Sequence, residues 1–176
     1  MSTLKVPVGA EDHIQGEADA ACTLVEYGDY ECPHCGRAYP IVKRVQKHFG
    51  NRLRFVFRNF PLGEMHPHAE FAAETAEFAA AHNKFWEMHD LLFENQTRLG
   101  GELFVELAKK LSLASPDLLA ALEKREYLPK VRADFTGGAR SGVNGTPTFF
   151  INGQRHDAPF EFEDLVAAIE GALTAE

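Results

Sequence analysis

Apolar and polar positions divide the chain into a strand–helix–strand unit, a long helical stretch and a strand–strand–helix unit. Residues 22–27 are an apolar run with one acid, and residues 53–60 are a second apolar run, so each run predicts a strand. The segment between them predicts a helix over residues 33–49, which ends at Gly50. Strands that a helix joins in this way are parallel neighbours. The apolar face of the helix comprises Ala38, Ile41, Val42, Val45 and Phe49.

A helical pattern covers the middle of the chain, from residue 65 to about residue 139. Ser115, Pro116 and Asp117 are typical of a helix start, because they supply a cap, a first-turn proline and a first-turn acid. The pattern predicts four helices, which cover residues 71–79, 85–93, 103–111 and 118–127.

Strand signals return near the end of the chain. Residues 148–151 predict a strand, and Asn152-Gly153 is the strongest short hairpin signal, so residues 154–156 begin a return strand. An apolar stripe over residues 162–173 predicts a final helix. Residues 1–20 lack periodicity and predict an irregular arm.

Composition limits the class of partner and the location. The 176 residues include 26 acidic and 18 basic side chains, for a net charge of −8, which argues against nucleic acid or an anionic membrane as the main partner. No apolar run approaches the roughly 20 residues of a membrane span. The N-terminus lacks the basic start and apolar core of a signal peptide, so the sequence predicts a cytoplasmic protein. A periplasmic protein trimmed after export would begin in the same way.

The strongest chemical signal is Cys32-Pro33-His34-Cys35, between the first predicted strand and the first predicted helix. Proline is favoured just inside a helix start, so Pro33 places Cys32 at the helix N-terminus. The helix dipole stabilises a thiolate there, which makes Cys32 a better nucleophile and leaving group. His34 adds a hydrogen-bond donor or a positive charge beside that thiolate. Cys35, one turn later, can close a small disulfide ring, which suits reversible two-electron chemistry.

Two other interpretations of the cysteine pair stay open. A structural zinc site needs a second pair of ligands, and His66 and His68 are the candidates for a set with Cys32 and Cys35. A purely structural disulfide is weaker, because so short a loop restricts the unfolded chain little. The third cysteine, Cys22, starts the first strand and is interpreted as a buried, inert thiol.

Three segments carry a resemblance to a known family. They are residues 24–36 with the cysteine pair, residues 85–90, and residues 141–153 with Gly145-Thr146-Pro147. Together with the order of elements, they resemble the single-domain group of DsbA-like thiol–disulfide oxidoreductases over about residues 12–170. A similar module is fused to some sodium–proton antiporters.

This resemblance implies an α/β thioredoxin fold, βαβ followed by ββα, with an inserted all-helical subdomain. Residues 1–62 would then hold the N-terminal arm and the first half of the thioredoxin domain. Residues 63–140 would form the helical insertion, and residues 141–176 would form the second half of the thioredoxin domain.

The resemblance also implies roles at matching positions. Cys32 would be the nucleophile that forms the mixed disulfide, and Cys35 the more buried resolving cysteine. Pro147 would be a cis-proline that faces the disulfide, since X-Pro bonds are the ones that adopt the cis form at low cost. The backbone of Thr146 would pair with an extended substrate peptide as an added strand.

Glu26 matches the buried acid that the family places behind the disulfide. A lone carboxylate in a buried strand is costly unless it has a partner or a task. Two interpretations stay open: Glu26 takes the proton from Cys35 during exchange, or it forms a structural ion pair with Arg58 on the neighbouring strand.

The sequence therefore predicts an enzyme that exchanges a Cys32–Cys35 disulfide with protein or peptide dithiols, in the oxidising or isomerising direction. A redox partner would regenerate the pair. No cofactor and no metal is expected, because the two sulfurs carry the electrons. The alternatives are a cytosolic thioredoxin-like reductase and a non-catalytic module that binds zinc or peptides.

Overall fold

The computed structural model describes residues 2–175, so Met1 and Glu176, the outer limits of the predicted division, lie outside it. Within this range the strands are β1 (His13–Gln15), β2 (Cys22–Gly28), β3 (Leu53–Asn59), β4 (Thr148–Ile151) and β5 (Gln154–His156). The α-helices are α1 (Pro33–Phe49), α2 (Ala69–Ala80), α3 (Phe85–Glu94), α4 (Gly101–Lys110), α5 (Ser115–Glu123), α6 (Leu128–Arg140) and α7 (Phe162–Thr174).

The five strands form one mixed sheet in the order β1-β3-β2-β4-β5. β2 and β3 are parallel, as the helix between them predicts, and the other neighbouring pairs are antiparallel. The turn between β4 and β5 has positive φ at both central residues, 46° at Asn152 and 81° at Gly153. Asparagine and glycine tolerate this conformation best, which is why the pair marks a hairpin.

The two faces of the sheet are covered differently. Helices α1, α7 and α2–α5 bury one face, and Leu24, Phe55 and Phe57 of the sheet belong to this core. The N-terminal arm and α6 cover the other face, over Val25 and Tyr27. None of the helices within residues 2–175 is both long and apolar enough to cross a membrane.

Helix α6 approaches the sheet closely because it carries two glycines. A Cβ at Gly138 would lie 2.8 Å from the ring of Phe60 and 2.9 Å from the ring of Tyr27. The sequence pattern predicts no separate helix over residues 128–140, because the adjacent glycines Gly137 and Gly138 have low helix propensity. The middle of the chain therefore holds five helices rather than the four predicted, whereas the division at residues 62 and 140 stays a prediction.

The prediction of an irregular arm over residues 1–20 is wrong in part. His13–Gln15 form β1, which pairs with β3, and Thr3 bridges to Gln154 at the opposite edge of the sheet. A strand of three residues has too little alternation to be recognised locally. Its pairing partners, Phe55 to Phe57, lie about forty residues along the chain.

Candidate active site

The two cysteines lie at the start of α1, where the sequence places them. Cys32 is the N-cap residue with an extended backbone (φ −68°, ψ 123°), and Pro33 follows in the first turn. The first helical hydrogen bond joins Gly36 N to Cys32 O at 3.0 Å. Both cysteines are buried free thiols, whereas Pro33 and His34 are exposed.

The sulfur of Cys32 is in an environment that favours the thiolate. A hydrogen bond from the Cys35 thiol lowers the pKa of Cys32 from its ordinary 9.0 to about 5, and partial burial opposes this only in part. Thr146 and the backbone N–H groups of His34 and Cys35 add to the lowering. Cys32 is therefore a thiolate at neutral pH, which is the reactive form of a cysteine.

Cys35 and Glu26 have the opposite tendency. Burial raises the pKa of Cys35 well above its ordinary value, and the hydrogen bond to Cys32 and the charge of Glu26 raise it further. Burial also raises the pKa of Glu26, from 4.5 to about 8, with a contribution from the charge of Cys32. The site thus combines one acidic thiol with two groups that hold protons at neutral pH.

Glu26 does not form the ion pair with Arg58 that one interpretation predicts. Side chains alternate along a strand, and in the observed register Glu26 lies opposite Phe57 while Arg58 lies opposite Tyr27. Arg58 therefore lies on the other face of the sheet, where it pairs with Asp12 at 2.8 Å. Within residues 2–175 we find no hydrogen bond or ion pair to the Glu26 carboxyl.

A small cavity lies beside Glu26. Its volume is about 10 Å³, close to the minimum that holds one water molecule. Tyr39, Lys43, Gln46 and His89 line it together with apolar side chains. Glu26 therefore borders a small cavity between α1 and α3 whose lining is part polar and part apolar.

The loop before β4 approaches the cysteines from the other side. The Thr146–Pro147 peptide bond is cis, as the resemblance implies, and Thr146 O lies 3.5 Å from Cys32 Sγ. The Thr146 hydroxyl is buried and forms no regular hydrogen bond among the described residues. The structure therefore brings Cys32, Cys35, Glu26, Thr146 and Pro147 together, with the backbone of Thr146 against the reactive sulfur.

Asp29, which is not among the predicted site residues, holds the loop before the cysteines. Asp29 Oδ1 accepts hydrogen bonds from Glu31 N at 2.7 Å and Cys32 N at 3.2 Å, and Asp29 N lies 3.5 Å from Cys35 Sγ. An aspartate that binds backbone groups two and three residues later is a typical turn former. The local sequence therefore contains a signal for the role of Asp29.

Gln96 holds the same loop from the helical insertion. Its Nε2 donates to Tyr30 O at 2.9 Å and to Cys32 O at 2.8 Å. A Cβ on Gly36 would collide with Gln96 Oε1, so only glycine leaves room for this contact. No local signal could reveal Gln96, because it lies more than sixty residues from the loop along the chain.

The four side chains that a zinc site requires are not assembled. His66 hydrogen-bonds Asp29 through Nδ1 at 2.7 Å, and His68 is exposed. Within residues 2–175, no group of three or more His, Cys, Asp and Glu side chains is placed to hold a metal ion. The described residues therefore do not support the zinc-binding alternative.

Comparison with known proteins identifies the family. The sequence model described as Thioredoxin matches residues 9–171. The chain belongs to the thioredoxin family. Among solved structures, oxidised BdbD from Bacillus subtilis superposes on this chain with a TM-score of 0.88 at 25% sequence identity, and the match covers 98% of each chain. A thioredoxin-like oxidoreductase from Silicibacter pomeroyi gives 0.81 at 26% identity and covers 96% of this chain and 95% of that one. The α/β thioredoxin fold and the DsbA-like oxidoreductase class are thereby confirmed.

The curated relatives are longer proteins. The Na⁺/H⁺ antiporter NhaA 1 of Salinispora arenicola is 42% identical over 171 residues, which cover 97% of this chain and 26% of the antiporter. NhaA of Herminiimonas arsenicoxydans is 36% identical over 170 residues, which cover 96% and 27%. The chain therefore spans about a quarter of the length of these relatives.

The prediction of a cytoplasmic location is wrong. It depends on the N-terminus of a sequence that spans a quarter of its relatives, and where such a sequence begins carries no information on location. Homologues of BdbD are extracytoplasmic, and the matching curated sequences belong to antiporters. The alternative of a cytosolic thioredoxin-like reductase loses its support for the same reason.

Proposed function

We propose that the protein is a disulfide donor that oxidises protein dithiols through Cys32 and Cys35. The observation that carries this proposal is the contrast between the two thiols: the pKa of Cys32 is about 5, whereas the pKa of Cys35 is well above its ordinary value. A stabilised Cys32 thiolate stabilises the reduced form, and a redox protein with a stabilised reduced form is an oxidant.

The reaction runs in two exchanges. A substrate thiolate attacks Cys32 Sγ of the disulfide, so the bond to Cys35 breaks and a mixed disulfide forms. The second substrate thiolate then attacks the substrate sulfur of the mixed disulfide, and Cys32 leaves as a thiolate. The substrate loses two electrons and gains a disulfide, while the Cys32–Cys35 pair gains the two electrons. The low pKa of Cys32 makes it a good leaving group in the second exchange.

Glu26 supplies the proton for the first exchange. Cys35 leaves the disulfide as a thiolate in a buried place that disfavours its charge, so it takes up a proton at once. The pKa of Glu26 is about 8, which keeps this carboxyl protonated at neutral pH and ready to transfer its proton. The small cavity beside Glu26 has the volume of about one water molecule, and we propose that a water there returns the proton to Glu26.

The remaining residues position the reaction. Pro33 starts the helix whose N-terminus stabilises the Cys32 thiolate, and His34 presents an exposed ring to the substrate. The backbone of Thr146, before the cis Pro147, binds the substrate strand beside Cys32. DsbA-like oxidoreductases act on protein thiols and need a redox partner, so we propose that a separate partner reoxidises the pair.

The reduction potential tests the direction of exchange. The protein is equilibrated in glutathione buffers, and its free thiols are trapped by alkylation. A value near −120 mV supports the disulfide donor, whereas a value near −270 mV indicates a reductant. Turnover of a reduced test protein, compared with a scrambled one, then separates oxidation from isomerisation. The Cys32→Ser variant should lose both activities, and Cys22→Ser should keep them.

A further inference from the structure

The carboxylate of Asp29 connects the cysteine loop to the segment that follows β3. Its Oδ1 holds the N–H groups of Glu31 and Cys32, as described above. Its Oδ2 accepts from Leu62 N at 2.9 Å and from His66 Nδ1 at 2.7 Å. The Asp29 side chain is fully buried, and its two oxygens therefore tie the imidazole of His66 to the loop that carries the reactive sulfur.

His66 is held in place but keeps contact with solvent. Its side chain is 14% exposed, so it can exchange a proton with water. Asp29 is in direct contact with His66, and the charges of Cys32 and Glu31, in the same loop between β2 and α1, also act on the ring. Partial burial opposes the charged ring, but the hydrogen bond and the charge of Asp29, with those of Cys32 and Glu31, raise the pKa of His66.

We propose that His66 is a positioning residue of the dithiol: the Asp29 carboxylate bridges its ring and the Cys32 backbone N–H, so its imidazolium acts electrostatically on the Cys32 thiolate and couples the redox state of the pair to a proton on His66. This inference rests on the proposed function, which supplies the electrons. Nothing in the cysteine motif itself requires His66, because the helix N-terminus and Cys35 already stabilise the thiolate.

The coupling follows from the balance of charge. When the disulfide takes two electrons from a substrate dithiol, it yields a Cys32 thiolate and a Cys35 thiol, which holds one proton. The new negative charge at Cys32 favours the charged form of His66, so reduction adds a further fraction of a proton there. Linkage is reciprocal: protonation of His66 must stabilise the reduced form by the same factor.

The first test is a titration of His66 in the two redox states of the unaltered protein. Proton NMR follows the ring signal of His66 against pH in the oxidised and in the reduced form, and a His66→Asn sample assigns it. We expect the pKa of His66 to be higher in the reduced protein. Equal pKa values in the two forms would overturn the inference.

The second test removes the charge but keeps the hydrogen bond. In His66→Asn the side-chain amide occupies the place of Nδ1 and can still donate to Asp29, whereas it cannot become charged. The thiolate of Cys32 is followed by its ultraviolet absorbance against pH. We expect the pKa of Cys32 to rise by roughly 1 in His66→Asn. His68→Asn, an exposed histidine two residues later, is the matched control and should leave this pKa unchanged.

The redox equilibrium gives an independent readout that a purely structural role would not produce. Between the titrations of Cys32 and His66 both groups are charged, so there His66→Asn should lower the equilibrium constant for reduction of the protein disulfide by glutathione, by up to about tenfold. The difference should fade as the pH rises through the titration of His66, because the ring becomes neutral. A difference that is the same at every pH would contradict the coupling.

Failure of this inference can be distinguished from failure of the proposed function. If the unaltered protein shows no reversible dithiol equilibrium, or a potential near that of thioredoxin, the proposed disulfide donor is wrong. If the protein is an oxidant and His66→Asn equals it at all pH values, only the role of His66 is wrong. Urea unfolding of both variants checks that each one is folded at the pH values used.

Discussion

Glu26 on β2 and Arg58 on β3 are two buried charged residues on opposite faces of the same sheet. Arg58 forms five hydrogen bonds, with Asp12, Tyr27 and the backbone oxygens of Val6 and Pro7. The Glu26 carboxyl has no hydrogen bond or ion pair within residues 2–175. Both are 3% exposed, so the difference lies in their partners and not in their depth.

This contrast separates a structural charge from a titrating one. Asp12 and Tyr27 raise the pKa of Arg58 against the effect of burial, so Arg58 stays charged at every pH at which the protein is folded. Burial raises the pKa of Glu26 to about 8, so it changes protonation near neutral pH. A buried charge with satisfied partners holds the fold together, and one without them is available for proton transfer.

The largest expected effect comes from removing the paired charge. Arg58→Leu leaves Asp12 buried without its partner, and we expect a loss of about 3–5 kcal/mol in the free energy of unfolding, measured in urea. The reduction potential of the folded fraction should not change, because Arg58 faces away from the cysteines. Arg132→Leu, an exposed arginine on α6, is the control and should cost less than about 0.5 kcal/mol. A large shift of the reduction potential in Arg58→Leu would contradict the conclusion that charges on this face of the sheet do not influence the cysteines.

Glu26→Gln should change the pH dependence of stability. The pKa of Glu26 is about 8 in the folded protein and near 4.3 in an unfolded chain. Between these values the unfolded state binds fewer protons, so the ionisation of Glu26 lowers stability as pH rises, by up to about 5 kcal/mol by pH 9. The stability of Glu26→Gln relative to the unaltered protein should therefore rise between about pH 4 and pH 9. The titration of Cys32 contributes to both proteins and cancels in this difference.

The same variant should be slower in exchange at neutral pH, by on the order of a hundredfold in the step that transfers a proton to Cys35. Rapid alkylation trapping of the free thiols follows that step. Glu123→Gln, which is exposed, serves as the control for both measurements. Parallel pH–stability curves for Glu26→Gln and the unaltered protein would show that Glu26 is not the titrating group.

A smaller effect compares close glycine contacts on the two faces. A Cβ at Gly138 meets the rigid rings of Tyr27 and Phe60, whereas a Cβ at Gly36 meets the end of the Gln96 side chain. Gly138→Ala should therefore cost about 1–3 kcal/mol of stability. Gly36→Ala should cost less stability, because the Gln96 amide can move away, but it should slow exchange by releasing the loop before Cys32.

The control for both variants is Gly171→Ala in α7, where nothing lies near the new methyl group. Destabilisation by Gly171→Ala would invalidate the comparison.

The smallest effect compares two buried tyrosine hydroxyls. Tyr27 accepts from Arg58 at 2.9 Å, and Tyr30 bonds His89 Nδ1 at 2.9 Å. Tyr27→Phe leaves Arg58 with four other hydrogen bonds, so we expect a loss of about 0.5–1 kcal/mol. Tyr30→Phe leaves the buried His89 nitrogen unpaired and should cost about 1–2 kcal/mol more. Thermal unfolding of both variants measures this order, and a reversed order would contradict it.

Features that depend on neighbouring residues were predictable. Pro33 marks the start of α1 and Asn152-Gly153 marks the hairpin, because backbone preferences act over two or three residues. The reactive pair and its place at a helix N-terminus follow from the same short range. The contacts of Asp29 are equally local, since it binds N–H groups only two and three residues away.

Features that depend on contacts across the sheet were not predictable. The short strand β1 exists because of its pairing with β3, and Gln96 meets the cysteine loop only after the insertion folds. The partner of Arg58 depends on the register of β2 and β3, where a shift of one residue would move every side chain to the other face.

The sequence by itself thus determined the dithiol and its type of chemistry, in the four residues from Cys32 to Cys35. This was possible because a helix N-terminus and two thiols one turn apart influence each other at short range. Which buried charges are neutralised is a different kind of property. It depends on distances between strands and segments far apart in the sequence, so it was the packed sheet that paired Arg58 with Asp12, tied His66 to Asp29 and kept Glu26 free to titrate.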